Sequence, residues 1–151
     1  MASLTSVDSG LSPKSLLVGF IAAAIAVVVF HQGMFLILNL AGLLPAKPWN
    51  LAPTGPLGVP TLLNQMFWGG LWGVLFSVIW PHLPGRDFWL KGLVFGWLGP
   101  MLIGNWIVLP LLRSTPYFAG FVPMRMLVSA LIAGAFGLGL GLIYEQLRKR
   151  I

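Results

Sequence analysis

The chain has 151 residues, 58% of them hydrophobic and 8% charged, with nine basic and three acidic side chains and no cysteine. Soluble proteins average about 25% charged residues, so a globular domain this poor in charge could not cover its own surface without aggregating. The missing cysteine removes disulfides, thiolate nucleophiles and iron–sulfur ligation, and the basic residues are too scattered to make a nucleic-acid footprint.

Residues 15–46, 48–85, 92–112 and 126–144 contain no Asp, Glu, Lys or Arg. A hydrocarbon core of ~30 Å takes roughly 20 apolar residues to cross as a helix. Only the second stretch is broken up by prolines. The expected fold is therefore all-α: one transmembrane domain over residues 1–151, a four-helix bundle with spans near 15–44, 61–80, 88–112 and 123–147.

Met1 to Ser15 is polar and is expected to lie frayed on the surface. Ser12-Pro13 reads as a helix start, with Ser as cap and Pro in the first turn. The first span would measure about 45 Å, so it must tilt, protrude or break, and Gly33 after His31-Gln32 is the expected break. Its apolar run is longer than a signal-peptide core and no small-x-small site follows it, so it reads as a span rather than a cleaved leader. Residues 45–60 carry Pro45, Pro48, Pro53, Pro56 and Pro60, which predicts stiff, extended backbone without regular hydrogen bonding. The second span stops at Pro81 and a tight turn to Asp87 follows. Gly99-Pro100 predicts a kinked third span. A short loop from Arg113 to Val122 leads to the fourth span at Pro123, which ends in Arg148-Lys149-Arg150.

Lys14, Arg86, Lys91, Arg148, Lys149 and Arg150 fall on one side of such a bundle, and Lys47, Arg113 and Arg125 on the other. The richer side is the cytoplasmic one, which gives an N-in/C-in topology in a cell membrane, read as the bacterial inner membrane. Trp49, Trp80, Trp89 and Tyr144 stand at span ends, as an aromatic belt would.

Two sets of residues are candidates for function. Gly69 with Gly73, Gly92 with Gly96, and Ala133, Gly137 and Gly141 are each spaced by four, which puts small residues on one helix face. Such ridges let helices approach closely in lipid, either within one chain or between copies. His31, Gln32, Asn64, Gln65 and Asn105, with Asn39 and Ser129, are polar residues in or near the outer halves of the spans. They either glue helices by hydrogen bonds or line a pocket that opens outward. His31 is the one ionisable side chain at mid-depth. The other histidine, His82, lies in the opposite loop, so no metal or haem site is expected and no cofactor is called for. Asp8, Asp87 and Glu145 all lie outside the spans or at a cytoplasmic end, which disfavours proton- or cation-coupled transport. Lys47, Arg113 and Arg125 would favour anions at the outer mouth, or simply snorkel.

No loop is long enough to hold a soluble domain, and no catalytic constellation occurs, so an enzyme is not expected. The segment Lys47-Pro48-Trp49-Asn50-Leu51-Ala52-Pro53 resembles the tryptophan-rich sensory proteins, a family of five-span bundles that bind porphyrins and sterols. This chain has room for four spans, so the likeness assigns neither fold nor ligand. The format also resembles small multidrug-resistance exporters, whose essential first-span carboxylate is absent here. The reading is a multi-pass membrane component associated with itself or with a membrane-protein partner, surrounded by lipids, through its glycine faces. The alternative is an anion or small-solute conduit, or a lipophilic-ligand binder, using the polar pocket.

Overall fold

A computed structural model describes residues 12–150 of the chain. The polar lead through Leu11, with Asp8, lies outside the described residues. Four helices are long and apolar enough to cross a membrane: α1 (Pro13–Leu40), α2 (Thr61–His82), α3 (Phe88–Arg113) and α4 (Pro123–Arg150). The fold is all-α apart from a two-residue ribbon, β1 (Pro53–Thr54) and β2 (Val59–Pro60).

Local sequence sets the ends of these helices. Ser12 accepts the Ser15 N–H at 3.1 Å and Pro13 opens the first turn of α1. The helix closes at Leu40, and Gly42 takes a left-handed φ of 75° while donating its N–H to the Asn39 carbonyl. The Asn39 side chain donates to the carbonyls of Leu44 and Ala46, which ties down the chain leaving α1. α2 begins without a side-chain cap. The backbone carbonyls of Ala52 and Asn50 accept from Thr61 and Leu62 instead, so the proline-rich loop caps the helix it precedes.

That loop is more regular than its proline content predicts. Pro53 pairs with Pro60 and Thr54 with Val59 in antiparallel register, and Thr54 Oγ1 donates to the Val59 carbonyl at 2.7 Å. Prolines are tolerated here because a two-strand ribbon has free edges on which a missing N–H leaves nothing unpaired. The expected break at Gly33 also does not occur. α1 stays helical through Gly33 and is instead irregular one turn earlier, where Val27–His31 forms a π-helical turn. In α3 the irregularity is longer: Trp97–Val108 is π-helical, with Pro100 inside it. Proline removes an N–H and crowds the carbonyl four residues before it, and wider i→i+5 pairing accommodates both faults.

The helices meet through glycine. At the α1–α2 crossing, a Cβ on Gly19 would collide with the Gly73 carbonyl, and one on Gly73 with the Gly19 carbonyl. At the α3–α4 crossing Gly92 and Gly137 oppose each other in the same reciprocal way, with Gly96 against Ala133 and Gly141 against the Phe88 carbonyl. Gly69 leaves room for the Val27 side chain. All six glycines of the spaced pairs therefore contact helices of the same chain.

Both seams lie toward the end of the bundle that carries Pro13, the turn to Asp87 and Arg150, here called the terminal end. An aromatic cluster fills it. Phe76 packs against Phe95, Trp80 and Tyr144, with centroids 5.0–5.4 Å apart. Lys91 and Arg148 stand over the Trp80 ring at 4.6 and 5.3 Å. Trp80 and Tyr144 are thus buried, at 8% and 4% exposure, rather than displayed in a belt. Trp89 remains exposed.

Replacing Gly137 with Leu should force α3 and α4 apart and lower stability by about 1–3 kcal/mol, the usual cost of overpacking. Gly33 has open space around it, so Gly33→Ala should instead stabilise by about 0.5–1 kcal/mol. Thermal melting of both variants in detergent checks the pair. Equal losses would mean that the seams do not hold the helices together.

Candidate functional site

At the opposite end, bearing residues 45–60 and 114–122, the helices stand apart. Here α2 and α3 meet through a side chain rather than through backbone. The Trp72 ring lies against Gly99 and Gly104, where an added Cβ would come within 3.2 Å of it. The opening between them is a cavity of about 750 Å³ that all four helices line, within the 300–1,000 Å³ common for small-molecule sites. Leu71, Trp72 and Leu75 of α2 and Val108 and Leu112 of α3 give it apolar walls, and Ile132 and Phe136 of α4 close the back.

The structure brings four of the five polar candidates to this cavity: His31 from α1, Asn64 and Gln65 from α2, and Asn105 from α3, joined by Ser129 of α4. They do not form one hydrogen-bonded cluster. Asn64 accepts from the Trp68 indole on its own helix, and Ser129 donates to the Arg125 carbonyl one turn earlier. Asn105 makes no hydrogen bond among the described residues and is exposed in the cavity. His31 stacks on Phe35 at 4.7 Å and meets Phe136 edge-on.

Gln32, the fifth candidate, is withdrawn from the cavity. It is 1% exposed and joins three segments of chain. Its Nε2 donates to Gln65 Oε1 at 2.6 Å and stands 3.3 Å from His31 Nδ1, while its Oε1 accepts the Trp49 backbone N–H at 2.8 Å. Trp49 in turn donates its indole N–H to the Val28 carbonyl at 2.8 Å, inside the π-helical turn. A π turn shifts the helical ladder by one residue and frees a carbonyl, and Trp49 satisfies it. The left-handed backbone of Trp49, φ 50°, lets one residue make both bonds. The sequence marks Trp49 as a span-end aromatic, but not as the partner of Gln32 and Val28. His31 therefore reaches α2 only through Gln32.

A second chamber of about 330 Å³ adjoins the first and shares Asn105, Leu109, Arg113 and Ser129 with it. Arg125 of α4 and Trp106 of α3 complete its polar lining. Its far wall is Ala119 and Gly120, part of a turn in which Phe118 through Phe121 all have φ between 53° and 66°. Among the described residues, no three His, Cys, Asp or Glu side chains converge as a metal site would require.

No family model, curated protein or solved structure matches the chain.

Gln32→Leu should cost about 0.5–1.5 kcal/mol, because it removes the bonds to the Trp49 N–H and to Gln65. The proline-rich loop should also become the first site of proteolytic cutting. Unchanged melting and an uncut loop would show that the loop is held by its capping bonds to α2 alone.

Proposed function

We propose that the protein is a multi-pass membrane protein that binds an amphiphilic or lipophilic small molecule in the cavity between α2 and α3. The observation that supports this most is the cavity itself, which combines apolar, tryptophan-lined walls with polar groups from all four helices. It lies between α2 and α3, with further lining from α1 and α4. In a bilayer, a hydrocarbon chain could enter sideways from the lipid without crossing water.

The reading of a component that associates through glycine faces has less support. The spaced glycines already face helices of the same chain, which leaves none of those ridges free for a second copy. No catalytic role is proposed. The glycine seams and the aromatic cluster close the terminal end, so the cavity is a binding site rather than a through-channel.

The proposed orientation places the terminal end in the cytoplasm, since Lys14, Arg86, Lys91, Arg148, Lys149 and Arg150 belong to it. The cavity then occupies the outer half of a cell membrane, read as the inner membrane of a bacterium. Reporter fusions at Asn50 and after Arg150 should label opposite faces of the membrane, with Arg150 inside. A C-terminus labelled from outside would reverse the cavity.

For binding, protein purified in mild detergent should carry a stoichiometric amphiphile detectable by mass analysis of the extracted lipid. Val108→Trp, which fills the cavity, should lose it. If the wild type carries nothing above background and runs as a fixed oligomer, the association reading stands and the binding reading falls.

A further inference from the structure

Resting on that binding reading, we infer that the amphiphile is an anion, with its carboxylate or phosphate head in the small chamber between Arg113 and Arg125 and its hydrocarbon chain in the larger cavity. The two guanidinium groups come from different helices, α3 and α4, and line the same 330 Å³ space. Neither has a carboxylate partner. Among the described residues the acidic side chains are Asp87, in the turn at the terminal end, and Glu145, which pairs with Arg148 at 2.7 Å and Lys149 at 2.9 Å. Among the described residues no carboxylate neutralises the arginines at the open end.

Two cations that line one concavity repel each other, although both are exposed. An oxyanion between them relieves it, and the planar guanidinium forks suit a carboxylate or phosphate. Further donors stand in the same chamber. The Asn105 amide has no hydrogen bond among the described residues. The Trp106 indole N–H is shut off from solvent and has no acceptor, with the Phe118 ring 6.1 Å from its own. A head-group oxygen would satisfy that donor once the Phe118 ring moves aside.

The geometry also orders the ligand. Arg113, Asn105, Ser129 and Leu109 line both spaces, so the head and the chain of one molecule occupy adjoining rooms with the polar groups at their junction. Beyond them the walls are Leu75, Val108, Leu112 and Phe136, which suits a hydrocarbon tail and not a second charge.

The test uses the full chain in a neutral maltoside detergent, titrated with dodecanoate, dodecanol, phosphatidylglycerol or inorganic phosphate and read by native mass spectrometry. One dodecanoate per protein should bind about tenfold or more tighter than dodecanol, as charge-assisted bonds to a paired head would give. The Arg113→Gln/Arg125→Gln double variant should bind dodecanoate no better than dodecanol while keeping its dodecanol affinity. That retained affinity reports an intact cavity, and the wild-type comparison decides the matter even if the variant fails to fold. A preference for phosphatidylglycerol over dodecanoate would identify a bilayer phospholipid as the source of the anionic head. The reverse would identify a free fatty acid, and both outcomes support an anionic amphiphile. Equal affinity for dodecanoate and dodecanol would overturn the anionic head and leave the lipophile reading standing. Binding of inorganic phosphate with no binding of either chain would overturn the amphiphile. No binding of any probe would overturn both readings.

Discussion

The close approach of backbones at two glycine seams is the constraint on which the rest of the bundle depends. Gly19 with Gly73 and Gly92 with Gly137 bring paired helices so near that a single methyl group would meet a carbonyl oxygen. Lipid offers no hydrophobic drive for helices to associate, so contact area and weak Cα–H···O contacts must supply it. Both seams lie in the terminal half. The other half carries Trp72, Trp106 and Phe136 where glycine would be needed for the same closeness. Helices pinned together at one end and held apart by large rings at the other diverge, and the cavity is the space between them.

The two π-helical segments fit the same geometry. One, Val27–His31, faces the cavity from α1, and the other, Trp97–Val108, faces it from α3. Widening a helix by one residue per turn turns side chains that a regular helix would aim elsewhere, and here it brings His31 and Asn105 to the lining. The freed backbone oxygen in α1 would be unfavourable in hydrocarbon. Trp49 folds back from the loop to bond it, and Gln32 fixes Trp49 in place. An interhelical bond such as Gln32 to Gln65 averages about 0.6 kcal/mol, so the value of this network lies less in stability than in fixing where the loop and the cavity wall stand.

Much of this was legible in the sequence, and the rest was hidden for identifiable reasons. The charge gaps located all four helices, because length and apolarity are summed over twenty residues and survive local surprises. The small-xxx-small spacing named the residues at the crossings, but not whether they faced their own chain or another, since spacing fixes a face and not its neighbour. The polar set was visible as polarity at similar depth. That Gln32 turns away from the cavity while Asn105 turns into it depends on π-helical turns, which have no reliable signature beyond Pro100. Trp80 and Tyr144 were misplaced because an aromatic residue at a span end suits a lipid interface and a capped core equally well. Packing against Phe76 and Phe95 decides it, and those contacts cross between helices.

The distribution of charge gives the bundle two unlike ends. At the terminal end Glu145 takes two cations, Lys91 and Arg148 rest on Trp80, and Lys91 also donates to the Trp80 carbonyl at 3.1 Å. At the open end Arg113 and Arg125 form no ion pair among the described residues. A chain with a formal charge of +6 could have spread that excess anywhere on its exposed rim, where water and lipid head groups would screen it. Two of the cations, themselves exposed, line one concave space together with unpaired polar groups. Both side chains line the space that an entering anion would occupy.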